Sequence, residues 1–281
     1  MGKAIRVAVP SKGRLREECV KLLSAAGYRT GALHGGGAIA AVDGIEFLEM
    51  RPRDAAAALA AGGLDAAFIA TDLVLEYDLD EQVRTPLGFS RSDLVVASRD
   101  DDGRTCVADL AGATVATHLP HAAERFFAEA GVGVIVLEMG GSLEGVAAAG
   151  IADAIVDLRQ TGQSLRANRL GVLGEIAACE AELVARPQDG RLADLVLRLE
   201  AVLAARRHRY VMLHVPQERL VALRELFPGL AAPTVLPLSG RDDLVAVHFV
   251  VAAEELWARL SDLRALGATG IVALEPQALL D

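Results

Sequence analysis

Between Ala152 and Leu165 the sequence Ala-Asp-Ala-Ile-Val-Asp-Leu-Arg-Gln-Thr-Gly-Gln-Ser-Leu carries an apolar run that ends in an acid, Asp157. Four residues later a hydroxyl, a glycine and a second hydroxyl open a segment of helical pattern. This layout suits a phosphate cradle: Gly162 lets the backbone approach a ligand, amides at a helix start point at an anion, and Thr161 and Ser164 can donate hydrogen bonds. A carboxylate at the strand end, Asp157, can accept from ribose hydroxyls or hold Mg²⁺. An ordinary strand, turn and capped helix gives the same local pattern. On a single strand, Asp153 and Asp157 stand about 13 Å apart, too far to share a proton or a metal. Asp157 adjoins the loop and is the functional candidate, whereas Asp153 is expected to fix the strand's entrance.

Other charged residues stand where an α/β sheet binds ligands, at strand ends that lead into helices. Ser11-Lys12-Gly13-Arg14 follows the apolar run Ile5 to Val9, and Arg51-Pro52-Arg53-Asp54 follows Ile45 to Met50. Thr71-Asp72 follows Ala66 to Ala70 and can cap the helix that follows, so Asp72 reads as structural first and as a site residue second. Lys3, Lys12 and Lys21 are the only lysines, so positive charge rests on Arg, the better fork for phosphate oxygens. His118 and His121 lie three apart without a third ligand and read as surface residues rather than a metal site.

The elements that carry these residues alternate. Strand patterns at Ile5–Val9, Ile45–Met50 and Ala66–Ala70 are separated by helical stretches, and a second set begins after the strand Asp93–Ala97. It comprises Thr114–Ala116, a helix Pro120–Ala130, Val134–Leu137 and the opening stretch. Such alternation predicts mostly parallel sheets, and two of them facing each other leave a cleft. Residues Gly171 to Val184 read as long β structure, and Gln188 to Arg207 as one helix. The last 70 residues follow the order βαββαβ, with strands at Tyr210–Val215, Thr234–Leu238, Leu244–Val251 and Gly270–Leu274 and helices Gln217–Phe227 and Ala253–Leu266. That order is the ferredoxin-like signature.

Composition narrows the function classes. A chain of 281 residues with 52% hydrophobic and 23% charged residues folds as two or three units. Its net charge of −10 argues against nucleic acid as a partner. No run approaches the roughly 18 apolar residues of a membrane span, and the N-terminus enters a strand without a leader pattern. Cys19, Cys106 and Cys179 show no metal-ligand spacing and read as reduced packing residues. A soluble, cytoplasmic protein is expected.

With these pieces in place, the chain resembles the ATP phosphoribosyltransferases of the long form, the first enzymes of histidine biosynthesis. The resemblance rests on Val7-Ala8-Val9-Pro10-Ser11-Lys12-Gly13-Arg14-Leu15, on Arg51-Pro52-Arg53-Asp54, on Gly63-Leu64-Asp65-Ala66 with Thr71-Asp72-Leu73, and on residues 152–157 with 161–168. Pro228-Gly229-Leu230, Pro233-Thr234-Val235 and Gly267-Ala268 extend it to the end. The chain departs from the usual pattern at Ser11, at Gln163-Ser164 and at Gly35-Gly36-Gly37.

The resemblance implies a two-lobed, periplasmic-binding-protein-like catalytic core with a central cleft, followed by a ferredoxin-like regulatory domain. Residues 1–90 with about 180–208 would form one lobe, 91–179 the other, and 209–281 the regulatory domain. It implies Mg²⁺-dependent transfer of phosphoribosyl from phosphoribosyl pyrophosphate to N1 of ATP, releasing pyrophosphate. Asp157, Lys12 and Arg14 are the implied catalytic residues, with Asp157 also the metal ligand. Gln160, Thr161, Gly162, Gln163, Ser164 and Leu165 would hold the sugar phosphate, and Arg51, Arg53 and Asp72 would face ATP. Histidine is the implied inhibitor, at Thr234 and His214, although an imidazole at His214 suits an ammonium poorly. A homo-oligomer, dimer and hexamer, is implied. The rival from another class is a two-lobed small-anion binding or sensor protein.

Overall fold

The structure, a computed structural model, describes residues 4–34, 39–187, 190–228 and 233–280. The stretch Gly35-Gly36-Gly37, the expected helix start at Gln188 and the matched pair Gly229-Leu230 lie outside them. The chain divides into two compact units, one from Met1–Ser24 with Tyr28–Ala193, the other from Asp194–Asp281 with Ala25–Gly27.

The first unit holds two sheets. In the six-stranded one, Ile5–Pro10 lies parallel to Ile45–Met50 on one side and to Ala66–Ala70 on the other. Val7, Ala8 and Val9 are at most 1% exposed, which explains the unbroken apolar run of a strand covered on both faces. Ile39–Val42 adds an antiparallel edge, and Ala181–Ala185 runs antiparallel between Ala66–Ala70 and Val83–Pro86. In the five-stranded sheet Thr114–Thr117 lies parallel to Ala154–Arg159 and to Ile135–Glu138. Ser92–Arg99 runs antiparallel between Ala154–Arg159 and Leu170–Cys179. Both sheets are therefore mixed rather than mostly parallel. The chain crosses between them twice, and each returning strand enters against the direction of its neighbours.

The crossings lie side by side. The Leu87 amide donates to the Ala181 carbonyl at 2.9 Å and the Ala181 amide to that of Phe89 at 3.0 Å. The expected continuous β segment breaks at Glu180, which separates Leu170–Cys179 from Ala181–Ala185. One apolar core joins the two halves and includes Ala67, Ile69, Val74, Leu94, Val115 and Phe127. Each large side chain fully buried there contributes about 1.5–3 kcal/mol. Cys19 and Cys179 pack in the interior, where burial raises both thiols, Cys179 to about 12. Cys106 is exposed and precedes a short 3₁₀ turn, its amide donating to Asp109 Oδ2, so it is no packing residue.

The second unit contains the helix Ala193–Arg207 and a four-stranded antiparallel sheet in the order Thr234–Leu238, Arg241–Ala252, His208–Pro216, Thr269–Leu274. This is the ferredoxin-like order. Alternate residues Val211, Leu213 and Val215 face Val245, Val247 and Phe249 in its core. The single helix expected from Ala253 to Leu266 forms as two, Ala253–Ala258 and Leu260–Ala265, interrupted at Arg259.

Candidate active site

The parallel register of the first sheet gathers its cations at one edge. Pro10 stands opposite Met50, so the segments that follow, Ser11-Lys12-Gly13-Arg14 and Arg51-Pro52-Arg53, leave the sheet together. The Ser11 amide donates to the Met50 carbonyl at 2.8 Å and ties them. Lys12, Arg14 and Arg51 are exposed, and their side chains have no hydrogen bond or ion pair among the described residues. Three unneutralised cations at strand ends can hold anionic groups. Gly13, with φ +81, opens the helix Gly13–Ala25.

The second sheet brings an acid to the corresponding edge. Val156 pairs with Thr117, which places Asp157 beside His118, and His118 Nδ1 lies 3.8 Å from Asp157 Oδ1. His121, two-thirds exposed, is a surface residue as expected, whereas His118 is one-third exposed and stands beside Asp157. Burial pushes the Asp157 carboxyl up, the Leu158 amide and His118 pull it down, and Glu144 pushes it up again, for a net rise. Asp72 is 7% exposed, and its carboxyl is raised by burial, lowered by His118 and raised by Asp157. Asp72, His118 and Asp157 thus share one electrostatic neighbourhood.

Thr71 does not cap its helix. Ala70 holds the cap position without a side-chain bond, and the Thr71 hydroxyl donates instead to Glu182 Oε1 at 2.6 Å. A buried carboxylate is the stronger acceptor. Arg84 grips the same Glu182 through Nε at 2.6 Å and Nη2 at 2.7 Å.

Arg53, unlike its neighbours, is engaged. It donates to the His118 carbonyl and, at 3.0 Å, to Glu138 Oε1, and so ties the edge of the first sheet to that of the second. The two edges that carry the candidate residues therefore face each other.

The loop after Asp157 forms an open hollow of about 570 Å³ lined by residues 158–165 and Ala167. Gly162 adopts φ +69 at the N-cap of the short helix Gln163–Ala167, and a Cβ there would lie 3.1 Å from Arg166 Nη1. Gln160, Thr161, Gln163 and Ser164 surround the hollow while Leu165 is buried beneath it. The Ser164 hydroxyl donates to Glu144 Oε1, a carboxylate that sequence reasoning missed, and this bond holds the Glu144 carboxyl below its ordinary range. Asp153 accepts the Thr114 amide at 2.9 Å and pairs with Arg104 at 3.1 Å, which anchors the strand's entrance.

Among the described residues no three His, Cys, Asp or Glu side chains are grouped to hold a metal ion. Asp157 fits Mg²⁺ as a single carboxylate ligand beside substrate oxygens, an arrangement this cation tolerates.

Residues 51–211 match the family model described as ATP phosphoribosyltransferase, and residues 205–276 that of the HisG C-terminal domain. The chain belongs to the ATP phosphoribosyltransferase family. It is an enzyme, a pentosyltransferase of histidine biosynthesis. It is 38% identical to the ATP phosphoribosyltransferase of Gemmatimonas aurantiaca, over 98% of this chain and 99% of that one. For Methanocella arvoryzae the identity is 35%, over 95% and 96%. Among solved structures it resembles the ATP phosphoribosyl transferase (HisG:HisZ) complex from Thermotoga maritima, with TM-score 0.60 and 26% identity, over 69% of this chain and 96% of that chain. No helix among the described residues is long and apolar enough to cross a membrane.

In the second unit Thr234 and His214 lie on the same face of the sheet, with Arg241–Ala252 between their strands. Thr234 stands opposite His248 and His214 opposite Ala246, which separates their Cα atoms by about 12 Å. On that face Tyr210 Oη meets His248 Nδ1 at 2.7 Å.

Proposed function

We propose that the chain transfers the 5-phosphoribosyl group of phosphoribosyl pyrophosphate to N1 of ATP. The observation that carries this reading is the meeting of two edges: free cations Lys12, Arg14 and Arg51 on one, Asp157 and its glycine loop on the other. The sugar phosphate sits against Gln160, Thr161, Gly162, Gln163, Ser164 and the backbone of Leu165. Asp157 accepts from the ribose hydroxyls. ATP lies on the first sheet's side, near Arg51, Arg53 and Asp72.

As the bond from C1 to the pyrophosphate breaks, N1 of the adenine attacks C1, and the sugar passes through an oxocarbenium-like state. This step needs positioned charge rather than a side-chain nucleophile. Lys12 and Arg14 neutralise the departing pyrophosphate, and the Asp157 carboxylate faces the developing positive charge. Mg²⁺, held by Asp157 and substrate oxygens, would add charge neutralisation at the leaving group.

The same reading assigns residues 1–90 with about 180–208 and residues 91–179 to two catalytic lobes, and 209–281 to histidine feedback through Thr234 and His214. It places the enzyme in the cytoplasm as a homo-oligomer. Incubation with ATP, phosphoribosyl pyrophosphate and Mg²⁺ should release pyrophosphate and give the absorbance of phosphoribosyl-ATP; neither product would refute the assignment. Inhibition by histidine that survives removal of residues 209–281 would place the effector site elsewhere.

A further inference from the structure

One buried carboxylate has no part in the site so far. Glu76 ends the helix Thr71–Glu76 and its side chain is 1% exposed. Its Oε2 accepts the Ala122 amide at 3.0 Å, and its Oε1 lies 3.7 Å from Arg53 Nη2. Ala122 belongs to the second sheet's helix Pro120–Glu129, whose first-turn amides have no intrahelical partner. A buried carboxylate is costly unless it is bonded, so Glu76 is satisfied only when that helix is docked on it.

The segment it grips carries the site. The Thr117 hydroxyl donates to the Val156 carbonyl at 2.9 Å and accepts the Leu119 amide at 3.0 Å, which fastens the turn to the strand of Asp157. Arg53, beside Glu76, donates to the His118 carbonyl. Asp72 and Glu76, four apart, lie on one face of their helix, so the element that presents Asp72 also fixes the turn that presents His118.

We propose that Glu76 is a positioning residue for the transfer reaction: with Arg53 it clamps residues 118–122 and holds His118 and Asp157 in front of Asp72. The inference rests on the phosphoribosyl reading above. It assigns Glu76 no contact with substrate.

The test compares full-length Glu76→Gln and Glu76→Ala with the parent enzyme in steady-state kinetics and in amide exchange at Ala122. Glutamine keeps an acceptor for the Ala122 amide and loses the charge beside Arg53. The expected order of kcat is parent, then Gln, then Ala, with Ala at least about tenfold down, since a misplacement near 1 Å can cost about 100-fold. KM for both substrates should stay within about threefold, and Ala122 exchange should accelerate in Ala more than in Gln. Unchanged kcat in folded variants overturns the proposal, as does a loss confined to KM or unchanged exchange at Ala122. If Glu76→Ala does not fold, Glu76→Gln decides alone, and parent-like kcat and exchange in it overturn the clamp. A parent enzyme inactive on both substrates refutes the phosphoribosyl reading instead, while the exchange data still judge the clamp.

Discussion

Replacing Arg84 with alanine should expose how much the crossing between the two sheets depends on one ion pair. Glu182 is 2% exposed and is held by two bonds from Arg84, at 2.6 and 2.7 Å, and one from Thr71. Without Arg84 the carboxylate stays buried with a single hydroxyl donor. Breaking a buried pair in this way costs about 3–5 kcal/mol. The Arg84 side chain is 30% exposed, so water screens part of the loss and roughly 2–4 kcal/mol is expected. Burial raises the Glu182 carboxyl, but the bonds from Arg84 and Thr71 outweigh it and leave the pKa lowered. A depressed carboxylate contributes its stability fully above the unfolded value, about 4.3, and loses it as pH falls through the folded value. The gap between Arg84→Ala and the parent should therefore be constant from about pH 6 to 8 and narrow below about pH 4. Urea unfolding followed by far-UV circular dichroism measures it. The single Trp, Trp257, lies in the other unit and would not report this transition. A gap under about 1 kcal/mol at pH 7, or one that persists unchanged into acid, would refute the reasoning.

Further outcomes follow from the site and from the second unit. Asp157→Asn and Gly162→Val should each cut turnover at least about tenfold with the fold retained by circular dichroism; near-normal kcat in both would remove the loop from the site. Glu144→Ala frees the Ser164 hydroxyl and removes a negative charge from beside the hollow, so ribose 5-phosphate should bind severalfold tighter by calorimetry, and equal or weaker binding would contradict this. Phe227, 1% exposed and packed on Phe249 with ring centroids 5.3 Å apart, should cost about 3–5 kcal/mol when cut to alanine, read by Trp257 fluorescence in urea.

What the sequence disclosed was local. The loop from Asp157 to Leu165 was legible because strand, acid, glycine and hydroxyls are contiguous, and the βαββαβ order because its turns and apolar alternation are. His118 was not legible: its place beside Asp157 comes from the pairing of Thr117 with Val156, 39 residues apart. Glu76, Glu144 and Glu182 were missed for the same reason, since each gains its meaning from a partner on another element. Val83–Pro86 and Ile39–Val42 are short strands of weak pattern, ordered by the neighbours they pair with. The break at Arg259 has no Gly or Pro to announce it.

The antiparallel strand Ala181–Ala185 has a consequence for the birth of the molecule. Among the described residues it is the only neighbour of Val83–Pro86 in its sheet, and it leaves the ribosome about 95 residues later. At about 5–20 residues per second that is a delay of roughly 5–20 s. Throughout it Val83–Pro86 has no ladder to join, Arg84 lacks Glu182, and the edge of Ala66–Ala70 is open to any passing strand. The first half of the enzyme can thus close only after the second has been made, which makes this interval the one in which the nascent chain most needs shielding from its neighbours.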